Sequence, residues 1–501
     1  MQLKTLISKL NIRSLQGPTN LEIESICYDS RKVRPGSLFI ALRGEKVDGH
    51  QFIDQAIENG AVALLVEEPE RGGNGVTCAQ VPSTREAMAD VAVEFYRNPS
   101  MRLKTVGVTG TNGKTTTTFL LKHICEKAFW RCGLIGTVRY EVGEEILPAP
   151  RTTPESLDLQ ELLYQIRNAG CKVAALEVSS HSLVQARVRG VEFDVAIFTN
   201  LTQDHLDYHK SMEEYFAAKT KLFTGLPLQK KKKGVAVVNL DDRYGMQLVQ
   251  RLEREGIKVV TFGLNARADF RAGNIKSDFS GTSFQLDAKD RSFLVRIPMI
   301  GRFNVYNALG ALAAATSMGL GLRESVLSLA MAPAAPGRLE PVRVKRSFQV
   351  YVDYAHTDDA LLNVVNTLRE LQPARLIVVF GCGGDRDRAK RPKMGAVADE
   401  HADWTILTSD NPRKENPEEI LAEIRSGFRS QKVEVIEDRA QAIQRAILLA
   451  GPRDIVLIAG KGHESYQEFA DKTIPFDDMQ IASAAMTAKP VEIEEPQQRF
   501  R

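Results

Sequence analysis

The stretch Thr109-Gly-Thr-Asn-Gly-Lys-Thr-Thr116 decides how this chain is read. Before it lies a short apolar run, Thr105-Val-Gly-Val108, which reads as a buried strand. After it comes Thr117-Thr-Phe-Leu-Leu-Lys-His-Ile-Cys125, and Leu121, Ile124 and Ala128 recur at helical spacing. A strand, a glycine loop and a helix start make a phosphate cradle. Gly110 and Gly113 let the backbone come close, so that N–H groups from Gly110 through Thr111, Asn112 and Gly113 to Thr116 can face an anion. The helix start adds a partial positive charge of about half a unit. Lys114 can reach the β- and γ-phosphates, and the Thr115 hydroxyl can sit on Mg²⁺. The strict pattern G-x-x-x-x-G-K-[ST] does not hold, because Val108 stands where its first glycine belongs. The bland alternative is a Gly/Thr-rich turn before a helix. The Gly-Lys-Thr triplet in a strand–helix context favours binding of a nucleoside triphosphate.

Outward from this loop, 501 residues are too many for one core and suggest about three domains. The net charge of +3 gives no strong field for nucleic acid or a membrane surface. The one dense basic cluster, Lys230–Lys233, lies between Gly225 and Pro227 and a strand-like run, and reads as a solvated loop. The six cysteines (27, 78, 125, 132, 171 and 382) are scattered without C-x-x-C pairs, which argues against zinc or a disulfide framework and fits a reducing compartment. The N-terminus lacks a long apolar segment and no run approaches the ~20 apolar residues of a membrane span. These features predict a soluble cytoplasmic protein.

Residues 1–99 form a first α/β unit, ending near Asn98-Pro99. It holds strand-like runs at Ser37–Leu42 and Ala61–Val66 and a helix face of Phe52, Ile53, Ala56 and Ile57. Residues 100–338 alternate strands and helices, which implies a mostly parallel sheet covered on both faces. Cys171–Val178, Asp194–Phe198 and Val235–Asn239 are its other strands, and 268–298 alternates polar and apolar like an antiparallel excursion. The Pro/Gly-rich Pro333–Arg338 is a linker. Residues 339–501 repeat the α/β pattern in a Rossmann-like unit, with strands at Phe348–Asp353, Arg375–Phe380, Trp404–Leu407 and Asp454–Ile458 and a poorly ordered tail from about 489. The fold class is therefore α/β in three domains around a central P-loop-type sheet.

Polar loops follow the strands of the third unit: Gly381-Cys-Gly-Gly-Asp-Arg386, Asp410-Asn-Pro-Arg413 and Gly460-Lys-Gly-His-Glu464. In open α/β sheets the carboxyl ends of strands line the binding crevice. Ordinary βα turns are the alternative for each loop singly. In the central unit, Glu177 stands at a strand end and is a hard oxygen ligand for a nucleotide-bound Mg²⁺; His205 is a further candidate. His205 and His209 are four apart, but the Glu of H-E-x-x-H and a third zinc ligand are missing. Lys219, by residue pattern alone, is a solvated lysine on an amphipathic helix. Asn304 and Asn307 open an apolar helix, where Asn is normally a cap, or else two amides could reach a nucleotide.

Over nearly its whole length the chain resembles the ATP-dependent Mur ligases. The resemblance is carried by Thr109–Thr116, Glu177-Val-Ser-Ser-His181, Asn200-Leu-Thr-Gln-Asp-His205 and Gly301-Arg-Phe-Asn-Val-Tyr-Asn307. Asp353-Tyr-Ala-His-Thr357, Gly383-Gly-Asp-Arg-Asp387, Asp410–Arg413 and Gly460–Glu464 narrow it to the MurE type, which adds the third residue of the peptidoglycan stem peptide. The resemblance implies that ATP phosphorylates the D-Glu side-chain carboxylate of UDP-N-acetylmuramoyl-L-Ala-D-Glu and that a diamino acid then attacks the acyl phosphate. It implies that Lys114 holds phosphates, that Thr115, Glu177 and His205 organise Mg²⁺, and that Lys219 is carbamylated, which turns a cation into an anionic oxygen ligand. Asn304, Asn307, Arg338 and Asp353 match nucleotide-contacting positions. Ser30 and the loop Glu45-Lys-Val47 match the uridine end, and Thr152, Thr153, Ser179, Gln185 and Arg187 the muramoyl-dipeptide site. Arg151 takes a place that is Asn in some members, and Asp358 one where Pro is expected.

For the amino-acid substrate the resemblance points to Arg386, Asp410, Asn411, Pro412, Arg413, Gly460 and Glu464. Diaminopimelate differs from lysine by an extra ammonium and carboxylate centre, and an Arg fork at 413 suits that carboxylate. Meso-diaminopimelate is therefore expected over L-lysine, acting with ATP and Mg²⁺ on a monomer that contacts neither nucleic acid nor membrane. Three other readings compete. A GTPase or motor lacks an Asn-Lys-x-Asp motif here, a folylpolyglutamate synthetase has no need of the first domain, and a scaffold leaves the phosphate and carboxylate-reading groups without a role.

Overall fold

The computed structural model describes residues 1–44, 47–68, 76–231 and 233–488, with the backbone alone for 206 and 207. Glu45, Lys46, Lys232 and the tail expected from 489 lie outside the described residues. The chain divides into two compact units, one of residues 1–273, 286–293 and 306–329, the other of 274–285, 294–305 and 330–501.

Two sheets organise the first unit. In the N-terminal sheet, Ser25–Cys27, Ser37–Ile40, Ala61–Val66 and Thr77–Gln80 run parallel, and Ser14–Gln16 closes the edge antiparallel to Thr77–Gln80. The expected helix face holds at Ile53 and Ala56, which are buried; Phe52 falls in a preceding 3₁₀ turn and is exposed. In the central sheet, Val235–Asn239, Val195–Phe198, Lys104–Thr109, Val173–Glu177 and Cys132–Ile135 lie side by side in that order, all parallel. Their near-continuous apolar runs fit strands buried on both faces. Lys104–Thr109, the strand that feeds the glycine loop, therefore sits between the strand ending at Phe198 and the strand ending at Glu177. Phe270–Asp278, Gly281–Ala288 and Arg291–Ile297 are successive strands whose residues are divided between the two units. At the Cys132–Ile135 edge, Tyr140–Val142 and Glu145–Leu147 form a hairpin the sequence did not announce.

The sheet of the second unit has the order Glu340–Pro341, Gln349–Asp353, Ile455–Ala459, Leu376–Phe380, Trp404–Leu407, Val433–Val435. Its last five strands are parallel. Asp353 ends one of these strands, and Gly460, Gly381 and Asp410 follow the carboxyl ends of three others, so the expected crevice edge is assembled by topology alone. A buried ion pair, Arg439 with Asp478 at 2.7 Å, stands behind it; Arg439 also donates to the Ala459 carbonyl, next to Gly460.

Lys230 and Lys233 are exposed, as a solvated loop requires, but one lysine between them departs from expectation. Lys231 is not solvated: its ammonium binds Asp194 at 2.6 Å and the Ser100 and Leu103 carbonyls. Asp194 precedes a buried strand and accepts the Thr105 N–H, so Lys231 supplies the countercharge there.

Candidate functional site

In the first unit the glycine loop joins Lys104–Thr109 to the helix Lys114–Lys127. Gly113, at φ +88°, is the helix N-cap, and a Cβ there would overlap Asn307 Oδ1. A Cβ on Gly110 would overlap the Thr199 hydroxyl. Both glycines are thus required by crowding as well as by conformation. Asn200 and Thr199, just after the neighbouring strand, brace the loop: Asn200 Oδ1 accepts the Asn112 N–H at 2.9 Å and Thr199 donates to the Asn112 carbonyl at 2.6 Å. Lys114 curls back to the Gly110 and Thr111 carbonyls at 3.0 and 2.8 Å.

Glu177 lies 1% exposed at the end of its strand. Thr115 donates to its Oε2 at 3.1 Å, and Thr137 donates through both N–H and hydroxyl at 2.9 Å. Hydroxyl and backbone N–H groups, all neutral, thus make up these bonds. A buried carboxylate beside a helix-start hydroxyl is a hard-oxygen pair that fits Mg²⁺. Among the described residues, no three of His, Cys, Asp and Glu cluster as a metal cage. His209 is instead buried, with its Nε2 2.8 Å from Ser180 Oγ. His205, at φ +54°, packs edge-on to His181 at 5.0 Å between ring centroids. Burial, together with His181, Lys114 and Lys219, pushes its pKa below the usual histidine value, which favours the neutral imidazole.

Lys219 overturns the reading from its helix pattern. The helix Met212–Thr224 turns Lys219 inward, 1% exposed, while Lys221 faces solvent. Its ammonium donates to the Gly110 carbonyl at 2.8 Å and sits 4.5 Å over the Tyr215 ring. Burial pushes its pKa well below the ordinary lysine value, and the nearby Lys114 adds to the effect. Tyr215 also lies 3.3 Å from the Thr111 hydroxyl and 6.0 Å from the His205 ring, which ties Lys219, the glycine loop and His205 into one neighbourhood.

The expected dipeptide residues continue from Glu177. Thr152 meets Thr137 at 3.0 Å, and Thr153 donates to the Glu177 carbonyl at 2.8 Å and accepts the Ser179 N–H. Arg187 donates to the Thr153 carbonyl at 2.9 Å and to Gln185 at 2.6 Å, with Glu155 at 3.2 Å. Its buried Nε has no partner among the described residues. Arg151 lies over Glu155. Ser30 stands apart, donating to Gln55 at 2.7 Å, and Val47 is exposed.

In the second unit, Asn304 lies within the helix Arg302–Met318 rather than capping it, and donates to the Ile300 carbonyl at 2.8 Å. Asn307, further along the same helix, is itself part of the first unit and accepts from the Thr117 hydroxyl there at 3.4 Å. Asp353 accepts the Leu339 and Ala355 N–H groups, and Arg338 stacks over Tyr354 at 4.7 Å. Burial raises the Asp353 pKa, against the pull of Arg338.

The three loops of this unit meet. A Cβ on Gly460, at φ +114°, would stand 2.6 Å from Asp410 Oδ2. Asn411 donates to Glu464 at 2.8 Å. Arg413, itself in a left-handed conformation at φ +51°, donates to Glu468 and to the Gly384 carbonyl, both at 2.9 Å. Pro412 contributes backbone: its carbonyl bars any side chain at Gly384. Arg391, fully buried, binds Glu415, Glu423 and the Gly383 carbonyl, and Glu415 accepts the Asp385 N–H, so one guanidinium ties the loop of Arg386 to the loop of Arg413. Arg386 itself is exposed and bonds only its own neighbour's carbonyl among the described residues. Thr137, Glu468 and Lys461 were assigned no role from sequence. Thr137 follows a strand end and the crevice rule would have found it; Glu468 lies in a hairpin too short to leave a pattern.

Three family models cover most of the chain: the Mur ligase family catalytic domain over residues 22–101, the Mur ligase middle domain over 108–315, and the Mur ligase glutamate ligase domain over 337–462. The chain belongs to the Mur ligase family. A Mur ligase of Caldanaerobacter subterraneus subsp. tengcongensis named UDP-N-acetylmuramoyl-L-alanyl-D-glutamate–2,6-diaminopimelate ligase is 45% identical over 469 residues, 93% of this chain and 95% of that protein. A Listeria monocytogenes Mur ligase of the same name is 43% identical over 98% of this chain and 99% of its own. The solved structure of a Mur ligase so named superposes with a TM-score of 0.70 at 35% identity, covering 97% of this chain and 98% of that one. A Mycobacterium tuberculosis folylpolyglutamate synthase shares the Mur ligase fold, at TM-score 0.62 and 18% identity over 81% of this chain and 96% of its own. No helix among the described residues is long and apolar enough to cross a membrane.

Proposed function

We propose that the chain is an ATP-dependent ligase that joins meso-diaminopimelate to the D-Glu side-chain carboxylate of UDP-N-acetylmuramoyl-L-Ala-D-Glu, acting as a cytoplasmic monomer in peptidoglycan precursor synthesis. The observation that carries the reading is the Asp410–Arg413 loop at the carboxyl edge of its sheet, in a chain 45% identical over 93% of its length to a ligase of that name. The domain boundaries near residues 100 and 338 belong to the same reading.

Lys114 and the N–H groups of Gly110–Thr116 hold the β- and γ-phosphates. The D-Glu carboxylate attacks the γ-phosphorus, ADP leaves, and an acyl phosphate results. The amine of the diamino acid then attacks the acyl carbon; the amide C–N bond forms, phosphate leaves and the amine gives up a proton. A carboxylate is a poor electrophile, and phosphorylation supplies its leaving group. The transfer needs mainly positioning and charge neutralisation. Thr115, Glu177 and His205, with Lys219 as a carbamate, would hold Mg²⁺, which neutralises phosphate charge. Lys219 suits that role because burial lowers its pKa and so favours the neutral amine, the form that bonds to the carbon of CO₂ and releases one proton. Thr152, Thr153, Ser179, Gln185 and Arg187 hold the muramoyl dipeptide, and Ser30 with the loop 45–47 the uridine end. Asn304, Asn307, Arg338 and Asp353 contact the nucleotide. Arg413 forks onto the distal carboxylate of diaminopimelate, in a pocket shared with Arg386, Asp410, Asn411, Gly460 and Glu464.

The test is ADP release with ATP, Mg²⁺ and UDP-N-acetylmuramoyl-L-Ala-D-Glu, with meso-diaminopimelate or L-lysine supplied in parallel. Release only with diaminopimelate is the expected result. Release with lysine alone would overturn the specificity, and release independent of the UDP substrate would overturn the ligase reading.

A further inference from the structure

We propose that Lys461 is the positioning residue of the amino-acid site: it locks the Asn411 amide and the Glu464 carboxylate into the orientation that reads a zwitterionic amino-acid centre. This rests on the ligase reading above and adds a residue to it. Lys461 is 0% exposed. Its Nζ donates to Asn411 Oδ1 at 3.0 Å and to Glu464 Oε2 at 3.2 Å, with Asp410 Oδ1 at 3.8 Å and the Tyr466 ring centroid at 5.5 Å. One desolvated ammonium therefore touches or faces three residues assigned to the substrate, and its own position shuts it off from the substrate.

The consequence lies in the Asn411 amide. Its oxygen accepts from Lys461 and from the Glu468 N–H at 3.0 Å, and its nitrogen donates to Glu464 Oε2 at 2.8 Å. Turned by half a rotation, the amide would set its NH₂ against two donors and its oxygen against a carboxylate. Lys461 makes that flip unfavourable, because an ammonium can only donate. With Oε2 of Glu464 engaged twice, Oε1 is left to receive a substrate ammonium, and the second N–H of Asn411 is left for a substrate carboxylate. The buried charge thus fixes which group of the pair presents a donor and which an acceptor.

Lys461→Met keeps the stem and removes the charge. We expect its KM for meso-diaminopimelate to rise at least tenfold. KM for ATP and for the UDP-dipeptide should stay within twofold, as should ADP–ATP isotope exchange, which reports acyl-phosphate formation without any amine. A diaminopimelate KM within twofold of wild type overturns the proposal. Parallel loss of exchange and of all three KM values also overturns it, since that is what general damage to the domain produces. If Lys461→Met does not fold, Lys461→Gln is read by the same criteria. Wild-type enzyme is the control that separates the two layers: no diaminopimelate-dependent product from wild type sinks the ligase reading itself, whereas a normal KM in a folded variant sinks only the role of Lys461.

Discussion

Lys219 and Lys461 are buried to the same degree, 1% and 0% exposed, in two different units, but their surroundings are opposite. Lys219 meets a backbone carbonyl and an aromatic ring, with the positive charge of Lys114 acting on it more strongly than the negative charge of Asp204. Lys461 meets an amide oxygen and a carboxylate, with a second carboxylate at 3.8 Å. At Lys219, burial and the neighbouring Lys114 outweigh the pull of Asp204 and favour the neutral amine, which can form a covalent bond; at Lys461, hydrogen bonds to an amide oxygen and a carboxylate hold the side chain where it orients its neighbours. On the proposed reading, one residue type serves as a reactive group at the glycine loop and as a positioning group beside Asn411 and Glu464.

The largest effect is expected from Lys219→Ala, which removes the proposed anionic ligand. The kcat should fall by about two to three orders of magnitude, the scale of losing one electrostatic stabiliser of the transition state. A fall of less than threefold would erase the contrast with Lys461. Arg413→Ala comes next. Losing its charge-assisted contacts to a substrate carboxylate should lower kcat/KM for meso-diaminopimelate by about 10- to 100-fold, or ~1.5–3 kcal/mol, with KM for ATP unchanged. An unchanged rate would remove Arg413 from the substrate.

Gly113→Ala tests the cradle beside Lys219 without touching any charge. At φ +88° and against Asn307 Oδ1, the added methyl should destabilise by about 1–3 kcal/mol and raise KM for ATP, read by calorimetry and steady-state kinetics. Normal stability would mean that the loop relaxes freely. The smallest effect concerns acid stability. The Arg391 hydrogen bonds hold the Glu415 carboxyl down at about 2, below its ordinary 4.5. A carboxylate with a lowered folded pKa stabilises the native state above the unfolded value and loses that contribution as pH falls. Glu415→Gln should therefore lower stability at pH 7 and converge with wild type as pH drops from about 4.5 to 2, in denaturant titrations across that window. Parallel curves would exclude the pair as an acid-sensitive tie between the two loops.

Much of this was legible in sequence because it is local. The strand before Thr109, the glycine loop and the helix after it follow from periodicity and glycine placement, and the strand-end rule put Glu177, Asp410 and Gly460 at a crevice edge. What was not legible depends on packing between distant segments. Lys219 and Lys221 are two apart on one helix; nothing local says that Lys219 is the one turned inward to meet Gly110, 109 residues away. Lys231 was read as solvated because its partner, Asp194, lies 37 residues off. Lys461 stood inside a quoted motif yet had no role until Asn411 and Glu464 were placed around it. The hairpin Tyr466–Glu468 with Thr473–Pro475, which supplies Glu468 to Arg413, consists of strands of three residues. Runs that short carry no period to detect.

The most direct measurement is ¹³C NMR of the enzyme equilibrated with ¹³C-bicarbonate, for wild type, Lys219→Ala and Lys461→Met. A reactive amine at 219 and a hydrogen-bonded positioning side chain at 461 predict a labelled carbamate in wild type, its loss in Lys219→Ala and its retention in Lys461→Met. An active, bicarbonate-supplied wild type without the carbamate signal, or a signal that survives Lys219→Ala, would contradict it.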